Sequence, residues 1–249
     1  MLYTYKIRIY ECTPSGILAF PQLLNLLQET ASVHAAECGF DFPLIDPADG
    51  TCGAWVLAQL HVRMTRYPKA HEEIRIETHP YGVHGLFALR DFVITFADGS
   101  PCGFGVSRWM MLDPRTRRPV RIPAEVTTFD APHPELFPES ETFSRLRYPA
   151  NPDEKPIGQY RTLHSNIDPN GHVNNVFYVS WMLEDMPREL LETHQIRDFE
   201  INFRTETLYG ETVSCFLQKT EPETYLHRVS SATGSDHIIA STTWVPQPR

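Results

Sequence analysis

The chain has no pair of cysteines at the spacing of a metal or redox motif. Its five cysteines, Cys12, Cys38, Cys52, Cys102 and Cys215, are scattered and odd in number. That argues against a disulfide framework and a zinc site, and suits a reducing cytoplasm. No apolar run approaches the roughly 18 residues of a membrane span. The first residues show no basic stretch followed by an apolar core, so no secretory signal is visible. Positive charge is also short: 22 Lys and Arg stand against 31 Asp and Glu, a formal net charge of −9. This disfavours nucleic acid or an anionic membrane as the main partner. What remains is a globular composition, 41% hydrophobic and 21% charged over 249 residues, enough for one large domain or two of ordinary size.

One basic run interrupts the acidic balance. Arg108, Arg115, Arg117, Arg118 and Arg121 lie between Gly105 and Glu125 with only Asp113 and Glu125 opposing them. A solvated loop is the ordinary reading of such a run. Arg115, Arg117, Arg118 and Arg121 are nevertheless the best candidates for docking an acidic partner.

The chain repeats itself. Thr13-Pro14-Ser15-Gly16 precedes a helical stretch read as ending at Glu29, and Asp168-Pro169-Asn170-Gly171 precedes one ending at Glu184, offset by 155 residues without a gap. Phe20, Leu24, Leu27 and Ala31 form one apolar stripe; Val176, Val179, Leu183 and Met186 form another. A strand leads into each helix, Tyr5 to Tyr10 and Gln159 to Leu163, and about four antiparallel strands follow each. Between the halves, Ala131 to Pro156 carries six prolines and reads as a stiff, extended linker. The expected architecture is α+β, two units of one long helix on a curved antiparallel sheet, over residues 1–130 and 157–249.

The chemistry concentrates in Asp168-Pro169-Asn170-Gly171-His172-Val173-Asn174-Asn175. An acid, an amide and an imidazole stand at alternate positions just before a helix N-terminus, where anionic oxygen is favoured. An acid–base group beside an oxyanion site is what acyl transfer requires. The same residues also make a strong turn with a ready cap, and the turn alone would be the commoner meaning.

The block from Asp168 to Glu184, with its Trp-x-Leu-Glu helix, resembles the acyl-ACP thioesterases of plant plastids and bacteria. Ser107 to Asp113, Thr116-Arg117-Arg118, Ile122 to Val126 and Trp55-Val56-Leu57 are similar to the first half of the same family. The resemblance implies two tandem hotdog domains with catalytic residues only in the second, and hydrolysis of a fatty acyl thioester carried on acyl carrier protein. It implies no cofactor and no metal. Residue by residue it points to Asp168, Asn170 and His172 and, on a strand 34 positions after the histidine, Glu206. Asp168 is expected to hold the imidazole or raise its basicity, with the oxyanion at the head of a helix spanning Asn175–Glu192. The aligned first-half positions are Thr13, Ser15, Ile17 and Tyr67, none an acid–base group near neutrality. Many plant members follow the glutamate with a cysteine; here Thr207 stands there, and Cys215 reads as core. An acyl-CoA thioesterase, a non-catalytic acyl-thioester binding module and a hotdog dehydratase are the rival readings, and a homodimer is possible.

Overall fold

The computed structural model describes residues 1–40, 44–45, 52–122, 126, 143–151 and 153–248. The first half runs through strand β1 (Leu2–Lys6), helix α1 (Phe20–Glu37), a short β2 (Leu44–Ile45), and then β3 (Cys52–Met64), β4 (Glu73–His84), β5 (Phe87–Phe96) and β6 (Pro101–Leu112). The second half runs through β7 (Gly158–Arg161), α2 (Asn175–Glu184), α3 (Arg188–Thr193), β8 (His194–Phe203), β9 (Thr212–Glu221), β10 (Thr224–Ser231) and β11 (Asp236–Pro246). Each half is a hotdog: one main helix on an antiparallel sheet.

Among the described residues the two sheets are one, ordered β1-β4-β5-β6-β3-β8-β11-β10-β9-β7, with β2 paired to β3. The order in the second half mirrors that of the first, and the halves join edge to edge at β3 and β8. There Leu60 faces Ile201, His61 faces Glu200 and Val62 faces Phe199. His61 and Glu200 occupy equivalent positions of the repeat, so a pseudo-two-fold axis passes between them. Pairing strand to strand satisfies the backbone groups that each half alone would leave open at its edge.

Alternation along the strands sets which face is buried. Ile74, Ile76 and Thr78 of β4 and Phe92, Ile94 and Phe96 of β5 point to the helices. One core runs through both halves, from Leu23 and Leu27 of α1 to Val179 and Met182 of α2. Phe20 and Phe199 meet across the join with ring centroids 4.8 Å apart. No helix among the described residues is long and apolar enough to cross a membrane.

Several expectations are corrected. Helix α1 runs eight residues beyond Glu29, to Glu37. The first strand ends at Lys6 and gives way to a 3-10 turn at Ile9–Glu11. The single helix expected over Asn175–Glu192 is two, α2 and α3, parted at Asp185–Pro187. Pro187 has no N–H to give a preceding carbonyl and its ring disfavours helical geometry before it, so the chain breaks there. Tyr178 and Trp181 are buried on α2 along with Val176 and Val179, so the apolar face is broader than the stripe read from spacing. Half of the proline-rich stretch Ala131–Pro156, residues 131–142 and 152, lies outside the described residues; within residues 143–148, Ser144 O accepts from Gln59 Nε2 at 3.3 Å and Leu146 O from Arg204 Nη2 at 3.0 Å.

Candidate active site

The Asp168–His172 turn is closed by its own backbone. Asp168 N donates to His172 O at 2.8 Å and Gly171 N to Asp168 O at 2.9 Å. Gly171 sits at φ +82°, where a side chain would be strained. The Asp168 carboxylate accepts from Asn170 N at 2.8 Å, from His172 N at 3.3 Å and from Asn170 Nδ2 at 3.5 Å. It braces the turn through backbone N–H groups; among the described residues no hydrogen bond joins it to the imidazole, which points elsewhere, while its charge raises the basicity of that ring, the other role expected of it.

The imidazole points to Glu206. His172 Nε2 lies 3.2 Å from Glu206 Oε2. Glu206 is not on a strand. β8 ends at Phe203, where Arg204 N turns to His237 O at 2.8 Å, and Glu206 follows in the connection to β9. Val173 N donates to Thr207 O at 3.0 Å, which fixes this connection beside the turn. The other carboxylate oxygen, Oε1, is paired with Arg117 Nη2. Arg117 comes from the first half, 89 residues earlier. Burial and the Arg117 cation push the His172 pKa below the ordinary histidine value, while the Asp168 charge pulls the other way. The ring is therefore held neutral near pH 7.

The four arginines proposed for docking separate accordingly. Arg115, Arg118 and Arg121 are exposed, and Arg117 is half buried in the site. Helix α2 begins with Asn174, whose side chain accepts from Val176 N at 3.0 Å, so one N–H at this helix end is already satisfied by the cap. Tyr178, on the next turn of the helix, donates to Thr207 Oγ1 at 2.9 Å in full burial. Thr207 is thereby a packing partner. Cys215 is buried on β9 and its thiol is pushed up to about 12 by burial, so it offers no thiolate.

A cavity of about 500 Å³ opens on these groups. Asp168, Asn170, His172 and Glu206 line one side; Trp55, Leu57, Trp109 and Met110 of β3 and β6 line the other. A second cavity of about 230 Å³ shares Gln28, Trp55, Trp109 and Asn170 with it and continues under α1 past Ala31 and Ala35 to Ala88. The second half supplies acid–base groups and the first supplies apolar walls. Sequence reading missed Gln28, Asn175 Nδ2 of which reaches its Oε1 at 3.3 Å, and the two tryptophans. No spacing reports them: Gln28 meets Asn175 only when α1 packs on α2, and Trp55 and Trp109 come together only when β3 pairs with β6.

Comparisons with known proteins identify the family and the fold. The family model of the acyl-ACP thioesterase N-terminal domain matches residues 2–129, and that of the C-terminal domain matches residues 150–246. The chloroplastic oleoyl-acyl carrier protein thioesterase 2 of Arabidopsis thaliana is 28% identical over 94% of this chain and 68% of its own length. The crystal structure of an acyl-ACP thioesterase from Bacteroides thetaiotaomicron superposes with a TM-score of 0.86 at 26% identity, covering 98% of this chain and 97% of that one. The 12:0-ACP thioesterase of Umbellularia californica shares the fold, with a TM-score of 0.83 at 24% identity over 99% of this chain and 97% of its own. With the repeat, the site in the second half and both domain matches in agreement, the chain belongs to the acyl-ACP thioesterase family.

Proposed function

We propose that this protein hydrolyses the thioester of a fatty acyl group on acyl carrier protein, releasing the fatty acid and the carrier thiol. The observation that carries the reading is the His172–Glu206 pair, 3.2 Å apart, at the wall of a two-part cavity whose other side is apolar. The acyl chain lies along Trp55 and Trp109 toward α1, and the thioester carbonyl sits at Asn170, His172 and the head of α2. Glu206 takes a proton from water as its oxygen bonds to the carbonyl carbon. Negative charge on the carbonyl oxygen faces the N-terminus of α2 and the Asn170 amide. The C–S bond then breaks, and His172 passes the proton to the departing sulfur. A thiolate whose acid has a pKa of about 8.5 leaves readily, so positioning of water and oxyanion carries most of the task. The turn brace at Asp168 holds Asn170 and His172 in place for these steps.

Two hotdog units over 1–130 and 157–249, joined by 131–156, remain our division of the chain, supported by domain matches that leave residues 130–149 between them. Among the described residues four cysteines, Cys12, Cys38, Cys102 and Cys215, are free thiols, which supports a reducing compartment such as the cytoplasm.

The test is initial-rate thiol release from a long-chain acyl-ACP and the same acyl-CoA. Faster release from acyl-ACP is expected. Equal or CoA-favouring rates would overturn the carrier and leave the chemistry; no release from either would overturn hydrolysis and return the binding-module reading.

A further inference from the structure

Glu206 is held from both sides, and one of the holders comes from the other half of the molecule. Arg117 lies on the turn after β6, between Asp113 and Pro119. Asp113 organises that turn: its Oδ1 accepts from Arg115 N at 2.7 Å and Thr116 N at 3.0 Å, and its carbonyl accepts from Arg117 N at 2.8 Å. Arg117 itself is at φ +57°, the left-handed region, although it is not glycine. A branched-off side chain there costs about 1 kcal/mol, and such strain persists where the surroundings demand it. The side chain it aims is the one paired with Glu206. Its neighbours Arg115, Arg118 and Arg121 point to solvent and share none of this geometry.

We propose that Arg117 is a positioning residue of the catalytic site, acting through Glu206. It fixes the carboxylate by Oε1 so that Oε2 is presented to His172, and its cation favours the neutral form of His172. Among the described residues, the other charged or titratable groups facing the pair include Asp168 on the turn, Tyr178 on α2, Arg204 at the end of β8 and His237 on β11, whose Nδ1 lies 3.1 Å from Thr205 O. Tyr178 is bound to Thr207, and Arg204 is engaged with Asp236 Oδ2 at 2.8 Å and Leu146 O. Arg117 is thus the cation placed on Glu206. The consequence is that the first half, without a counterpart of the His172–Glu206 pair at its aligned positions, completes the site of the second.

This inference rests on Glu206 acting as the base, and the experiment separates the two. Arg117→Gly relieves the backbone strain, so folding stability should hold or rise. In the same variant, turnover should fall about 10- to 100-fold, the scale of a misplaced catalytic group. The loss should appear in kcat, with acyl-ACP and equally with a short acyl-N-acetylcysteamine thioester that has no carrier and no phosphate. Without the nearby cation the His172 pKa rises, so the acid limb of kcat/KM should move to higher pH; Arg117→Lys should restore part of the rate and most of that limb. In the double variant with Glu206→Gln, Arg117→Gly should add little, since both act at one point. A loss confined to KM for acyl-ACP would overturn the inference and make Arg117 a carrier contact. Unchanged kcat with an inactive Glu206→Gln would overturn it alone, while an active Glu206→Gln would overturn the base on which it rests.

Discussion

In the first half Thr13 N donates to Ile17 O and Gly16 N to Thr13 O, both at 2.8 Å; 155 residues later Asp168 N donates to His172 O at 2.8 Å and Gly171 N to Asp168 O at 2.9 Å. The glycines sit at φ +80° and +82°. Upstream, Arg8 N reaches Glu11 Oε2 at 2.7 Å where Leu163 N reaches Asn166 Oδ1 at 2.7 Å. Downstream, Leu18 N reaches Pro68 O at 2.8 Å where Val173 N reaches Thr207 O at 3.0 Å. The hydrogen-bonded frame is one design used twice, and it is retained in the half that lacks a counterpart of the His172–Glu206 pair. It therefore belongs to the fold, which must satisfy these backbone groups in either half. The halves differ in what is hung on it. Thr13 and Ser15 bond each other at 2.8 Å in place of Asp168 and Asn170. Ile17 replaces the imidazole. Tyr67 replaces Glu206, buried, its hydroxyl donating to Ile196 O at 2.8 Å. Burial pushes that phenol well above its ordinary pKa, so it cannot serve as a base near neutrality.

The largest effect that could break this contrast is catalytic. Glu206→Gln or His172→Ala should lower kcat by about 10²- to 10⁴-fold, the range of a general acid–base group, while Ile17→Ala and Tyr67→Phe leave it within a few fold. A comparable loss from the Tyr67 variant would mean that the first half is chemically active. The same Tyr67→Phe variant sharpens the contrast through stability. It removes a buried donor from Ile196 O and should cost about 1 kcal/mol in a urea titration, whereas Glu206→Gln, in a partly open site, should move the midpoint little. The smallest expected effect concerns the second loop of the frame. His71 at φ +72° stands where the second half has Gly210 at φ +83°, and both donate backward, His71 N to Ile7 O and Gly210 N to Thr162 O. His71→Gly should stabilise by about 0.5 kcal/mol and Gly210→Ala should destabilise by about 1 kcal/mol; equal midpoints in urea for both would show that the two loops are not under the same constraint.

Much of this was readable along the chain. The turn residues, the helix stripe of α1 and the matched strands are local patterns, and local patterns report periodicity and turn chemistry directly. The alignment of Tyr67 with Glu206 is upheld by the matching hydrogen bonds that flank them. The helix end at Glu184 is legible from the repeat, whereas a span to Glu192 runs through Pro187 because apolar residues flank it on both sides. The resemblance points to Glu206 but puts it on a strand, because its loop is shaped by the partners of Arg204 and Val173. Asp168 raises the basicity of His172 as expected, but its hydrogen bonds go to backbone N–H groups two and four residues on, which it reaches more easily than a ring that must face away. Arg117 reads as one of a basic run and as part of a block similar to the family. Nothing in that run distinguishes it from Arg115 or Arg118.

Short-range features of the chain, its composition, its 155-residue repeat and its Asp-x-Asn-x-His turn, point to two α+β halves and mark the candidate site residues of the second. The pairing of β3 with β8, the packing of α1 on α2 and the reach of Arg117 to Glu206 are products of folding alone. Hydrogen bonds and ion pairs act over a few ångströms, and residues 89 positions apart in the chain come within that range only after two sheets have become one.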